Sequence, residues 1–174
     1  MSEFRIIWQP EWPTLSSPLR RSQLPTRATG RWRWELSDAS SDAFEIEIAV
    51  APADIDGLGH VNNVVYVRWV QDIAVAHWRA AASPADQEKF LWIVVRHEID
   101  YKHAARLGDT ILARTWVGAA TRIRFERHTE LLRVSDGMLL AKAKTVWCPI
   151  DAVSGKLASV GAEVRARFSV PPKD

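Results

Sequence analysis

With 174 residues, 47% of them apolar and 25% charged, the chain is long enough for one domain with a sizeable core and too apolar for disorder. A formal net charge of +2 gives no electrostatic reason to expect a nucleic-acid partner. No window holds the ~18 apolar residues of a membrane-spanning helix and the N-terminus lacks an apolar leader core, so a cytoplasmic protein without a membrane span is expected. The nine tryptophans imply large apolar contact surfaces. Cys148 stands alone, which excludes an intrachain disulfide, and its place in the apolar run "TVWCPI" marks it as a packing residue.

Residues 1–42 carry prolines at 10, 13, 18 and 25, which forbid a long helix; they read as an extended arm, with one added strand at Trp32–Leu36 at most. Residues 43–174 read as the folded domain. "FEIEIAV" alternates Phe44, Ile46, Ile48 and Val50 against Glu45, Glu47 and Ala49, a half-buried strand. After "DIDGLGHVNN" a helix is predicted from about Asn62 to Ala82, ended by Ser83-Pro84. At 100° per residue its polar stripe is one narrow arc, Arg68, Gln71, Asp72, Val75 and Arg79, so the helix must be covered on most sides.

The remainder reads as strands. "VRHEIDYK" places Val95, His97, Ile99 and Tyr101 on one face, and "LGD" at 107–109 turns into a strand over 110–117. "GAA" at 118–120 reads as a turn, residues 121–134 as a long strand, "SDG" as a hairpin and 139–150 as a further strand. A short final strand and a helical turn near 161–168 complete the domain. Short turns make the neighbours antiparallel. The expected architecture is α+β: one antiparallel sheet of five to six strands wrapped around one long helix, its free edge or outer face inviting dimerisation.

The stretch "DIDGLGHVNNVVYVRW", on a strand-to-helix junction, resembles the signature of the hotdog-fold thioesterases, in the 4-hydroxybenzoyl-CoA and long-chain acyl-CoA thioesterase-like branch. Its "HVNNVVYVRW" half is similar to plant acyl-ACP thioesterases, and "RHEIDYKHAARLGD" resembles the next strand and turn of the family. The resemblance covers about residues 44–168 and implies hydrolysis of an acyl thioester of coenzyme A, with no cofactor besides the coenzyme A of the substrate. It further implies a homodimer or homotetramer, since family sites lie between two subunits.

By motif position, the resemblance makes Asp56 the acid that acts as general base on water or as nucleophile. It makes the backbone N–H of Asn63, in the first turn of the helix, the oxyanion donor. His60 is a helper that orients the acid or the substrate carbonyl, or a loop residue that only hydrogen-bonds its neighbours. Plant acyl-ACP thioesterases have a histidine there, but they carry an asparagine where this chain has Leu58, so their full constellation is absent. Asp54 reads as a turn acid. Gly59, with Gly57, lets backbone approach a ligand. Asn62 caps the helix and lies close enough to touch substrate. Tyr66 is expected to make a buried hydroxyl contact and, by its place on the inner face one turn beyond Asn62, to stand with Gly59 and Asn62 among the substrate-binding residues. His77, about 16 Å along the helix from Tyr66, reads as a core histidine. His97 and His103 have no metal-ligand spacing around them.

Coenzyme A carries phosphates, and "TRIRFERH" offers Thr121, at a position often Ser or Thr in the family, with Arg122, Arg124 and Arg127. Read as a strand, Arg122 and Arg124 share a face and Arg127 takes the other, so at most part of this set meets a nucleotide, and a solvated strand face is the plainer reading of the arginines. Two other classes fit the architecture. A hydratase would need H-F-P or D-x-N-P-x-x-H signatures that are absent, and a non-catalytic acyl-CoA-binding scaffold would bind coenzyme A without releasing thiol.

Overall fold

The computed structural model describes residues 43–168, so the proposed arm at 1–42 lies outside the described residues. The elements are β1 (Phe44–Ala49), a 3-10 turn (Pro52–Asp54), α1 (Asn63–Ala81), α2 (Pro84–Lys89), β2 (Phe90–Tyr101), β3 (Thr110–Ala120), β4 (Phe125–Arg133), β5 (Leu139–Asp151) and α3 (Ala162–Phe168). The five strands form one sheet in the order β1-β3-β4-β5-β2, antiparallel throughout. This is the hotdog arrangement, with α1 lying against the inner face of the sheet.

α1 forms because apolar residues recur around most of its circumference and Asn62 caps it. Val65, Tyr66, Trp69, Val70, Ile73 and Ala74 are buried against the sheet. Burial of a side chain such as Trp69 or Ile73 contributes roughly 1.5–3 kcal/mol each. The first half of α1 packs with Ile111, Ala113, Leu131 and Leu140, and the second half with Phe90, Phe125, Trp147 and Phe168. Of the stripe read as polar, Arg68 and Arg79 are exposed, while Gln71, Asp72 and Val75 are half-buried.

Four readings need correction. Ser83-Pro84 ends α1 but also starts α2: the Ser83 hydroxyl accepts the Asp86 N–H and Pro84 takes the first helical position. β2 therefore begins at Phe90, and a bulge between Val94 and Arg96 displaces Val95 from the face of His97, Ile99 and Tyr101; Val95 is exposed instead. β3 runs through "GAA" because the His128 ring, stacked on Trp116, occupies the space where a Gly118 side chain would sit, 2.7 Å from Nε2. The turn falls at residues 121–124, so β4 starts at Phe125. The final strand is only a bridge, Ile150 to Leu157.

Arg127 does not belong to a solvated strand face. It lies buried on the inner face of β4, where it donates to Nδ1 of His77 at 3.0 Å and to the Thr115 hydroxyl at 3.2 Å. Receiving that bond fixes the His77 proton on Nε2. The His77 ring also stacks on Phe44 and meets Phe168 edge-on, the core role expected for it.

Candidate active site

The residues before α1 form a short hairpin. Asn62 N–H donates to the Asp54 carbonyl, Asp56 N–H to the His60 carbonyl, and Ile55 bridges to Val61. The backbone of Asp56 thus lies one pleat repeat, about 7 Å, from the level of Asn62. Asp54 is more than a turn acid. It is buried, with one carboxylate oxygen accepting the Ala51 N–H and the other 2.6 Å from the Arg68 guanidinium, which ties the hairpin to α1.

Asp56 sits at the open end of the hairpin, partly exposed. Its Oδ1 accepts the Leu58 N–H at 2.8 Å, and its carbonyl accepts the Gly59 N–H. Gly59 has φ +76°, the left-handed backbone this turn requires. Nδ1 of His60 lies 3.7 Å from Asp56 Oδ1. Leu58, between the glycines, is 78% exposed.

At the helix start three of the N–H groups have internal acceptors. Asn62 N–H is taken by Asp54, Val64 N–H by the Asn62 side chain at 3.0 Å, and Val65 N–H by the Asn62 carbonyl. Among the described residues none accepts from the Asn63 N–H. Asn62 is therefore a cap, and Asn63 offers the one open donor at a helix end that favours negative charge. Replacing Asn62 by Ala is expected to cost about 1 kcal/mol, lowering the melting temperature by roughly 2–4 °C in a thermal scan.

Tyr66 makes the buried contact expected of it: its hydroxyl accepts the Ala105 N–H at 2.8 Å. Burial pushes the phenol above its ordinary value, so it stays neutral. Two further features of the chain had no local sequence signal. The Tyr101 hydroxyl donates to the Asn63 carbonyl at 3.2 Å. Asp72, half-buried midway along α1, has an Oδ1 without a hydrogen-bond partner among the described residues, and burial raises its carboxyl while Arg68 lowers it.

The structure brings Asp56, Gly59, His60, Asn62, Asn63 and Tyr66 together, but not Thr121 and Arg122. β3 starts beside Ala49, near the hairpin, and runs about 30 Å before Thr121 follows it at the other end. Thr121 is a turn residue whose hydroxyl accepts the Ile123 and Arg124 N–H groups, and Arg122 is exposed beside Val160. Neither belongs to a strand face.

The sequence model of the thioesterase-like superfamily matches residues 50–168, the hairpin, α1 and the whole sheet beyond β1. The chain belongs to the thioesterase-like superfamily. Within 108 residues it is 26% identical to a chloroplastic palmitoyl-acyl carrier protein thioesterase of Gossypium hirsutum, a match over 57% of this chain. The chain spans about a quarter, 26%, of that relative's length. Among solved structures, a 1,4-dihydroxy-2-naphthoyl-CoA thioesterase from Synechocystis superposes with a TM-score of 0.63 at 22% identity, over 72% of this chain and 94% of the other. A thioesterase from Thermus thermophilus, complexed with coenzyme A and Zn, gives 0.62 at 22% identity, over 71% and 90%. These likenesses establish the hotdog fold for this superfamily member.

Proposed function

We propose that this protein hydrolyses an acyl thioester of coenzyme A to the free acid and coenzyme A. One observation carries the reading: the Asn63 N–H, open at the start of α1, beside the hairpin that holds Asp56. The Asp56 carboxylate draws a proton from water as the water attacks the carbonyl carbon, or attacks that carbon itself to give a mixed anhydride that water then hydrolyses to the free acid, returning the Asp56 carboxylate. In either course the developing oxyanion is met by the Asn63 N–H and the helix dipole, and the thiolate leaves with the C–S bonding pair and takes up a proton. His60 helps by orienting Asp56.

The site is completed by a second copy of the chain. β2 is an edge strand of twelve residues whose outer side leaves Leu91, Ile93 and Val95 exposed. Such an apolar edge, unpaired among the described residues, is a template for pairing. In a dimer, Thr121 and Arg122 reach a bound nucleotide only from the partner, since in one chain they lie at the far end of β3.

Acyl-ACP is the rival substrate, favoured by the similarity to the Gossypium hirsutum enzyme, which is named for palmitoyl-acyl carrier protein. A panel of acyl-CoA and acyl-ACP thioesters with a thiol-reactive dye separates the two. Coenzyme A release is expected from at least one acyl-CoA. Release from acyl-ACP alone would move the assignment to the carrier-protein substrate. Thermal stabilisation by coenzyme A with no thiol release from either class would leave a binding scaffold.

A further inference from the structure

The segment "RHEIDYKHAARLGD" has no part in the chemistry above, yet it holds the reacting end of α1 from the side. Its Ala105 peptide is bonded in both directions: the N–H donates to the Tyr66 hydroxyl at 2.8 Å, and the carbonyl accepts the Val61 N–H at 2.9 Å. Tyr66 in turn meets the Tyr101 ring edge-on, with centroids 5.4 Å apart at 87°. Tyr101, the last residue of β2, then donates its phenolic hydroxyl to the Asn63 carbonyl at 3.2 Å. The residue remains 45% exposed, so core packing does not account for a tyrosine there. Phenylalanine would supply the same edge contact with Tyr66; the hydroxyl is what reaches Asn63.

Asn63 is the residue whose N–H is open, and its opposite end is the carbonyl that Tyr101 grips. A first-turn residue has no intrahelical acceptor for its own N–H and frays most readily. A donor of transition-state hydrogen bonds loses its value when it must reorganise as charge develops. We propose that Tyr101 is a positioning residue for thioester hydrolysis: it anchors the Asn63 carbonyl so that the Asn63 N–H is held ready for the oxyanion. This rests on the hydrolytic reading of the hairpin and helix start. Tyr101 does not touch the reacting atoms in this scheme; it acts through Asn63.

The test is Tyr101→Phe in the full chain, assayed beside the wild type and Asp56→Asn on the acyl thioester that the substrate panel selects. The expected result is a kcat lower by about tenfold, with KM within about twofold and the shape of the pH profile unmoved, the pattern of an interaction that matters only in the transition state. The melting temperature should stay at the wild-type value, and the backbone amide signals of Asn63 and Val64 should shift in ¹⁵N–¹H spectra. A wild-type kcat overturns the assignment. A change confined to KM does the same, because it makes Tyr101 a substrate contact. A kcat loss matched by a fall in melting temperature also overturns it, as general destabilisation. If the wild type hydrolyses no thioester, the amide signals decide alone. Shifted signals then keep Tyr101 as the anchor of Asn63 while the hydrolytic reading fails, and unshifted signals remove both.

Discussion

Asp56→Asn is expected to lower kcat by about 10²–10⁴-fold while leaving the fold intact, the usual worth of a positioned general base. Asparagine is the informative replacement because its side-chain oxygen still accepts the Leu58 N–H, the bond that shapes the loop in the wild type. The variant therefore removes the basicity and the nucleophilic carboxylate without opening the hairpin. KM should change little, since the acid contributes in the transition state more than in the ground state. Steady-state thiol release, with the melting temperature as a control for folding, measures this. Unchanged turnover by a folded Asp56→Asn protein would take the chemistry away from the hairpin.

The second large effect concerns acid stability. Burial first, and the neighbouring Arg127 second, hold His77 down at about 4. In the unfolded chain a histidine titrates near ~6.5. Below that value the unfolded chain binds a proton that the folded one refuses. Stability contributed by the neutral ring is thus complete above pH 6.5, declines as pH falls towards 4, and is gone below it. At full size this is on the order of 3 kcal/mol. Arg127, itself lowered to about 10 by burial, keeps its charge across that range and opposes a second cation beside it. His77→Gln retains an acceptor for the Arg127 N–H but has nothing to titrate. Urea midpoints measured between pH 7 and 4 should fall more steeply for the wild type than for His77→Gln. Parallel slopes would contradict the account.

Much of this fold was legible because local rules and the tertiary structure agree. β1 alternates as it must when one face is buried, and α1 begins one residue past the cap that Asn62 announces. The reacting end was legible for the same reason: Asp56, His60, Asn62 and Asn63 lie within one short stretch, and the turn that gathers them is local. Where the reading failed, a contact distant in sequence had won. Gly118 looks like a turn glycine until His128 is seen over it. Thr121 looks like a strand residue until its hydroxyl is seen capping Ile123 and Arg124. Arg127 breaks the rule that charges face water because His77, fifty residues earlier, accepts its hydrogen bond. Tyr101 reaches Asn63 across a separation of 38 residues, and no periodicity records that. Val95 was misplaced because a single bulged residue flips the face of everything on one side of it.

The most direct measurement is a crystal structure with a coenzyme A ketone analogue in which a methylene replaces the ester sulfur, so that the carbonyl is retained and cannot be hydrolysed. The expected result places the ketone oxygen within about 3 Å of the Asn63 backbone nitrogen, as an oxyanion donor requires, with the Asp56 carboxylate beside the carbonyl carbon directly or through one water. A ketone bound away from the start of α1, with the Asn63 N–H still open to solvent, would contradict it.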